Sequence, residues 1–94
     1  MGAKRIREHW DHLRVSKGHT VRIPTCFADI LNAEVGTHYE LTYDCEKLVI
    51  EFGTGFRQTT FKNHSCCVSI RGKIDPGLYK FDIFEKERVI ILWK

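Results

Sequence analysis

No stretch of this 94-residue sequence approaches the roughly 18 consecutive apolar residues that a membrane-crossing helix needs. The N-terminal MGAKRIREHWDH carries basic residues with no apolar run behind them, so it lacks the form of a secretory signal. Cys26, Cys45, Cys66 and Cys67 contain no C-x-x-C pair and lack the spacing of a disulfide framework. These absences point to a cytoplasmic protein with reduced thiols and no membrane partner. Catalytic signatures are missing as well: there is no G-x-S-x-G, no P-loop and no H-E-x-x-H. The expectation is therefore no enzyme, no catalytic residue and no cofactor. Cys26 is the one thiol that a helix dipole could activate, although packing is the simpler role for it. His9, His12, His64, Cys66 and Cys67 are metal-ligand types, but no pair has ligand spacing without a helix to join it, so no metal site is expected.

What is present suits one small soluble domain. Hydrophobic residues make up 43 % and charged residues 29 %, which excludes a disordered composition. A chain of this length buries only about 60 to 65 % of its unfolded surface, so a shared core is an advantage. The formal charge of +3 tilts only mildly toward a polyanion, and the clustering of charge matters more. Lys4, Arg5 and Arg7 crowd the N-terminus and Arg14, Lys17 and Arg22 surround the first turn, whereas acidic residues gather from Glu40 to Glu51 and from Asp82 to Glu87.

From Leu13 the chain alternates in the manner of strands. Leu13-Arg14-Val15 and Thr20-Val21-Arg22-Ile23 flank the turn residues Ser16-Lys17-Gly18-His19, which makes a hairpin. Pro24 cannot donate to a ladder and ends the second strand. A helix follows over Cys26 to Asn32, with Thr25 as its cap or Pro24 as its first residue, and Phe27, Ile30 and Leu31 form one apolar stripe. Gly36 turns the chain into a second hairpin, Tyr39 to Tyr43 and Leu48 to Phe52, and Gly53-Thr54-Gly55 is a natural linker. Beyond it, strands are expected at Gln58 to Lys62, Cys66 to Ile70, Leu78 to Phe84 and Arg88 to Trp93. Adjacent Cys66 and Cys67 would face opposite sides of their strand.

The second half reads as a copy of the first. Val68-Ser69-Ile70 lies 47 positions after Val21-Arg22-Ile23, whereas Tyr79-Lys80-Phe81 and Val89-Ile90 lie 40 positions after Tyr39-Glu40-Leu41 and Val49-Ile50. The seven-residue difference falls at the helix, which the second copy replaces by Arg71-Gly72-Lys73-Ile74. Two unrelated β-meanders would also align loosely, but five features in one order with a single gap favour duplication.

The stretch from Leu13 to Phe52 resembles the AbrB/MazE/SpoVT family of swapped-hairpin transcription factors. The resemblance rests on Gly18, on Val21-Arg22-Ile23-Pro24, on Leu31-Asn32-Ala33-Glu34-Val35-Gly36, and on the hairpin from Tyr39 to Ile50. Thr37 stands where the family commonly has an acidic residue, and the second half matches only as a degenerate copy without proline or helix. The family works as an intertwined homodimer. The resemblance therefore implies a mostly β, single-chain tandem variant, a swapped-hairpin β-barrel of two pseudo-symmetric halves with one short helix in the N-terminal half. One domain would span 1–94, with a basic arm at 1–12, a repeat with helix at 13–52 and a degenerate repeat at 56–94.

The same resemblance implies a sequence-selective regulator that binds double-stranded DNA through the first hairpin, with Arg14, Lys17, His19 and Arg22 as its contacts. Basic groups around a hairpin can meet phosphates and, for arginine, guanine edges, although a solvated strand face is the competing reading. Lys62, His64, Arg71 and Lys73 occupy the comparable region of the second copy, so an asymmetric site is expected. Lys4, Arg5 and Arg7 would add phosphate contacts as an arm, or would be a frayed terminus. The alternative function is a protein-interaction module, antitoxin-like or an inhibitor of a partner protein. The family's antitoxins append a toxin-binding tail, and the sequence ends at Trp93-Lys94 without one, which weighs against that alternative. A further homodimer stays open.

Overall fold

A computed structural model gives the fold and describes residues 12–44, 46–62, 65–70 and 74–94. The first hairpin pairs β1 (Leu13–Val15) with β2 (Thr20–Pro24). Strict alternation sends Leu13, Val15, Val21 and Ile23 into the core and leaves Arg14 and Arg22 outside. The chain passes from β2 straight into the helix α1 (Thr25–Ile30). Pro24 takes the capping position with an extended backbone and no side-chain cap, and Thr25 is the first helical residue. The helix is thus shorter than the sequence suggests. It ends where Asn32 turns left-handed at φ 54°. There the Asn32 and Ala33 amides donate back to the Asp29 and Ala28 carbonyls, which closes the last turn. Phe27, Ala28 and Leu31 cover one end of the core, and Ile30 is half-buried.

A long hairpin follows, β3 (His38–Asp44) with β4 (Lys47–Phe52). The strand expected over Gln58 to Lys62 is broken into β5 (Arg57–Gln58) and β6 (Thr60–Lys62). Between them Thr59 is fully buried, and its hydroxyl donates to the Glu34 carbonyl and accepts from the Thr37 amide. Satisfying that hydroxyl inside the barrel bends the strand from one partner to another. The remaining strands are β7 (Ser65–Ser69), β8 (Gly77–Phe84) and β9 (Val89–Trp93).

The nine strands form a nearly closed antiparallel barrel in the order β5-β3-β4-β9-β8-β1-β2-β7-β6. Its two edges, β5 and β6, are consecutive in the chain, so the bend at Thr59 closes the circle. The long strand β8 makes the opposite corner, with Gly77 to Tyr79 on β1 and Lys80 to Phe84 on β9. Each early hairpin therefore lies beside the late hairpin of the other half: β1 pairs with β8, and β5 with β3. Exchanging β1 to β4 with β5/β6 to β9 leaves the order unchanged. The register obeys the same exchange. Val21 pairs with Val68, and Ile50 pairs with Ile90, so each of these residues faces its counterpart from the sequence comparison. All four side chains are fully buried. A pseudo-two-fold axis runs through these two pairs.

The halves join at a tight approach. Gly55 adopts φ +93°, and a Cβ there would sit 2.4 Å from the Tyr39 carbonyl oxygen, so only glycine fits. Arg88, in the β8–β9 turn, reaches across to the other half and donates from Nε and Nη2 to the Leu31 and Asn32 carbonyls at 2.9 and 2.8 Å. It supplies the acceptors left open at the helix end with cationic donors. No helix among the described residues is long and apolar enough to cross a membrane.

Candidate nucleic-acid interface

Three basic residues, Arg14, Arg22 and Lys62, share the outer face of β1–β2–β7–β6. Pairing of Val15 with Val21 sets Arg14 and Arg22 opposite each other across the first hairpin. The row continues through printed partners on both sides: Leu78 beside Arg14, then Cys67 beside Arg22, then Thr60 beside Cys67. Side chains directly opposite on one face stand about 5 Å apart at Cβ, so the two guanidinium groups share one stretch of surface. Lys62, on the far strand, joins them.

Between these cations runs a groove of about 720 Å³ lined by Arg14, Arg22 and Lys62 together with the hydroxyls of Ser16, Thr20, Thr60 and Ser65. No carboxylate lines it among the described residues, and none of the three cations has an ion-pair partner there. Like charges opposite each other on a sheet are destabilising, and nothing in the groove offsets them. An array of cations and hydroxyl donors without an acceptor of opposite charge suits a phosphate-bearing ligand.

The first-hairpin residues separate in role. Lys17 is exposed in the β1–β2 turn, outside the groove lining. His19 holds a left-handed conformation at φ 59°, and its carbonyl accepts the Ile70 amide. Its Nδ1 is buried without a hydrogen-bond partner, so the imidazole belongs to the packing of the turn more than to the open face. Lys4, Arg5, Arg7, His64, Arg71 and Lys73 lie outside the described residues, as do His9 and Cys45.

The hydroxyls and Cys67 were not legible as site residues. Alternation alone places Thr20 outward beside Arg22 on the same strand and marks Cys67 as outward, but only the β2–β7 and β6–β7 registers bring Cys67 and Thr60 into the row of Arg22. Cys66 and Cys67 do face opposite sides, with Cys66 fully buried and Cys67 half-buried in the groove. Cys26, Cys66 and Cys67 are free thiols. Burial raises the Cys66 thiol to about 12. The Cys26 thiol is raised too, since desolvation outweighs the hydrogen bonds from the helix start, so the helix dipole does not activate it. Among the described residues no cluster of three metal-ligand types forms.

The pseudo-symmetry does not extend to charge. Ser69 occupies the place in the second half that Arg22 holds in the first, so two arginines come from one half and Lys62 from the other. No protein-family model matches this chain, and neither does any curated protein or solved structure.

Proposed function

We propose that this protein is a small DNA-binding transcriptional regulator that seats double-stranded DNA on the β1–β2–β7–β6 face. The observation that carries the proposal is the unpartnered pair Arg14 and Arg22, side by side in a groove with Lys62 and without a lining carboxylate. In this reading the cations neutralise phosphates, the Ser and Thr hydroxyls position the backbone, and an arginine reads a base edge. A regulator of this kind acts by occupying promoter DNA.

The resemblance to swapped-hairpin transcription factors supports the same reading. So does the exchange of hairpins between halves, which is the arrangement expected if a homodimer of that family were fused into one chain. Because the groove draws unequal residues from the two halves, the preferred site is asymmetric.

Fluorescence anisotropy with duplex DNA across a salt series tests this. With Lys62 and one arginine on phosphates the log–log salt slope is about −1.8, on the scale of about −0.9 per contact. Replacing Arg14 and Arg22 together by alanine should reduce the slope by about 0.9 and leave the barrel folded. Absence of binding by the intact protein at low salt sinks the proposal.

A further inference from the structure

The opposite wall of the barrel carries a different surface. On β9 all five consecutive residues, Val89-Ile90-Ile91-Leu92-Trp93, are apolar. Ile90 and Leu92 fill the core, whereas Val89, Ile91 and Trp93 point outward. A continuous apolar run of this kind is the pattern of a strand covered on both faces, yet the barrel covers only one. Two of their cross-strand neighbours extend the stripe, Val49 beside Ile91 and Phe84, 43 % exposed, beside Val89, while Asp82 beside Ile91 and Lys80 beside Trp93 border it with charge.

The same face is acidic at one end. Glu40 pairs directly with Glu51, and Glu51 with Val89. Neither carboxylate has an ion-pair partner among the described residues, although like charges so placed repel. Phe56, fully exposed, projects from the Gly-rich turn beside Glu40. The outer rows of β3, β4, β9 and β8 span a patch of about 400 Å², from strand and residue spacings. That is the size of a weak, transient protein interface.

We propose that this face docks a cationic amphipathic segment of a partner protein, with its apolar side on Val49, Ile91 and Val89 and its Lys or Arg side chains on Glu40 and Glu51. Charge complementarity selects this occupant: the carboxylates repel each other until a cation joins them, and nucleic acid is excluded by their charge. A second copy fits less well, because the basic groove offers cations but only Leu78 as a large apolar neighbour in its central row. The face lies across the barrel from the groove, so a partner held here would leave the groove free. The inference stands independently of the DNA reading.

The probe is a short synthetic helical peptide of lysine and leucine, with a lysine–serine peptide of equal charge as control, and backbone amide shifts as readout. Saturable shifts are expected at Val49, Glu51 and Ile91. Glu40→Lys and Glu51→Lys combined should weaken the peptide about tenfold or more, and Phe56→Ser less, with duplex DNA affinity not reduced in either variant. The proposal is overturned by shifts confined to other faces, equal binding of the lysine–serine peptide, unchanged affinity in the charge-reversed variant, or a concentration-dependent doubling of mass that buries this face. Peptide binding seen only after removal of residues 1–11 would assign the face to the chain's own N-terminus and also overturn it. Loss of DNA binding in the Arg14 and Arg22 variants bears on the other proposal alone.

Discussion

Replacing Arg88 should destabilise the barrel by leaving the end of the helix uncapped. Its guanidinium makes two charge-assisted hydrogen bonds, to the Leu31 carbonyl at 2.9 Å and the Asn32 carbonyl at 2.8 Å, across more than 50 residues of sequence. A bond to a charged donor contributes about 1.5 to 3 kcal/mol net when buried, and the Asn32 bond is exposed and worth less. Arg88→Ala should therefore cost about 2 kcal/mol, since the two carbonyls return partly to water. On a domain of this size that lowers the melting temperature by about 8 to 16 °C. Arg88→Lys keeps the charge but not the planar fork, and should cost about 1 kcal/mol. Arg88 itself is left-handed at φ 57°, so Arg88→Gly recovers about 1 kcal/mol of backbone strain and should fall between alanine and wild type. Urea denaturation followed by circular dichroism gives the differences. An alanine variant within about 0.5 kcal/mol of wild type, or a glycine variant less stable than alanine, would refute the assignment of Arg88 as the helix-end cap.

Other consequences are open to measurement. Glu51→Lys converts the repulsive Glu40–Glu51 pair into an attractive one and should stabilise the fold by about 0.2 to 1 kcal/mol in urea titration, with the gain shrinking in high salt. Gly55→Ala forces a Cβ against the Tyr39 carbonyl at φ +93° and should cost more than about 2 kcal/mol, or shift the β4–β5 turn visibly in amide spectra. For Cys66, the folded state holds its proton up to about pH 12 while the unfolded thiol releases it near 9, so stability contributed by this group falls as pH rises between those values. Below pH 9 the same residue should resist alkylation in the native protein while Cys67 reacts; equal rates at the two thiols would contradict its burial.

The alternation of single strands was legible without the structure. Leu13-Arg14-Val15 and Thr20-Val21-Arg22-Ile23 declare which side chains face inward, because successive residues on a strand point to opposite faces. The helix stripe was legible for the same local reason, although its ends were not: Pro24 displaced Thr25 from the cap, and the left-handed Asn32 closed the helix early. The candidate groove was half legible. Arg14 and Arg22 stand in one hairpin, while Lys62, Thr60 and Cys67 reach them only through pairings between residues some 45 positions apart.

Alternation, turn chemistry and the offsets between the two halves were determined by the sequence itself, since each depends on neighbours along the chain. That was enough for a mostly β chain with one short helix, whereas closure into a barrel was implied only by the family resemblance. Only the tertiary structure decided which strand lies beside which, and through that everything on the outer surface. A strand's inward face is set by its own hydrophobic pattern, but its outward face acquires meaning from the register of its partners. Thr59 breaks a strand because its hydroxyl finds Glu34 and Thr37 inside the barrel, and Arg88 caps a helix from the far half. Glu40 meets Glu51 within one hairpin, yet the apolar stripe that makes the pair an interface comes from β9, contributed by the other half.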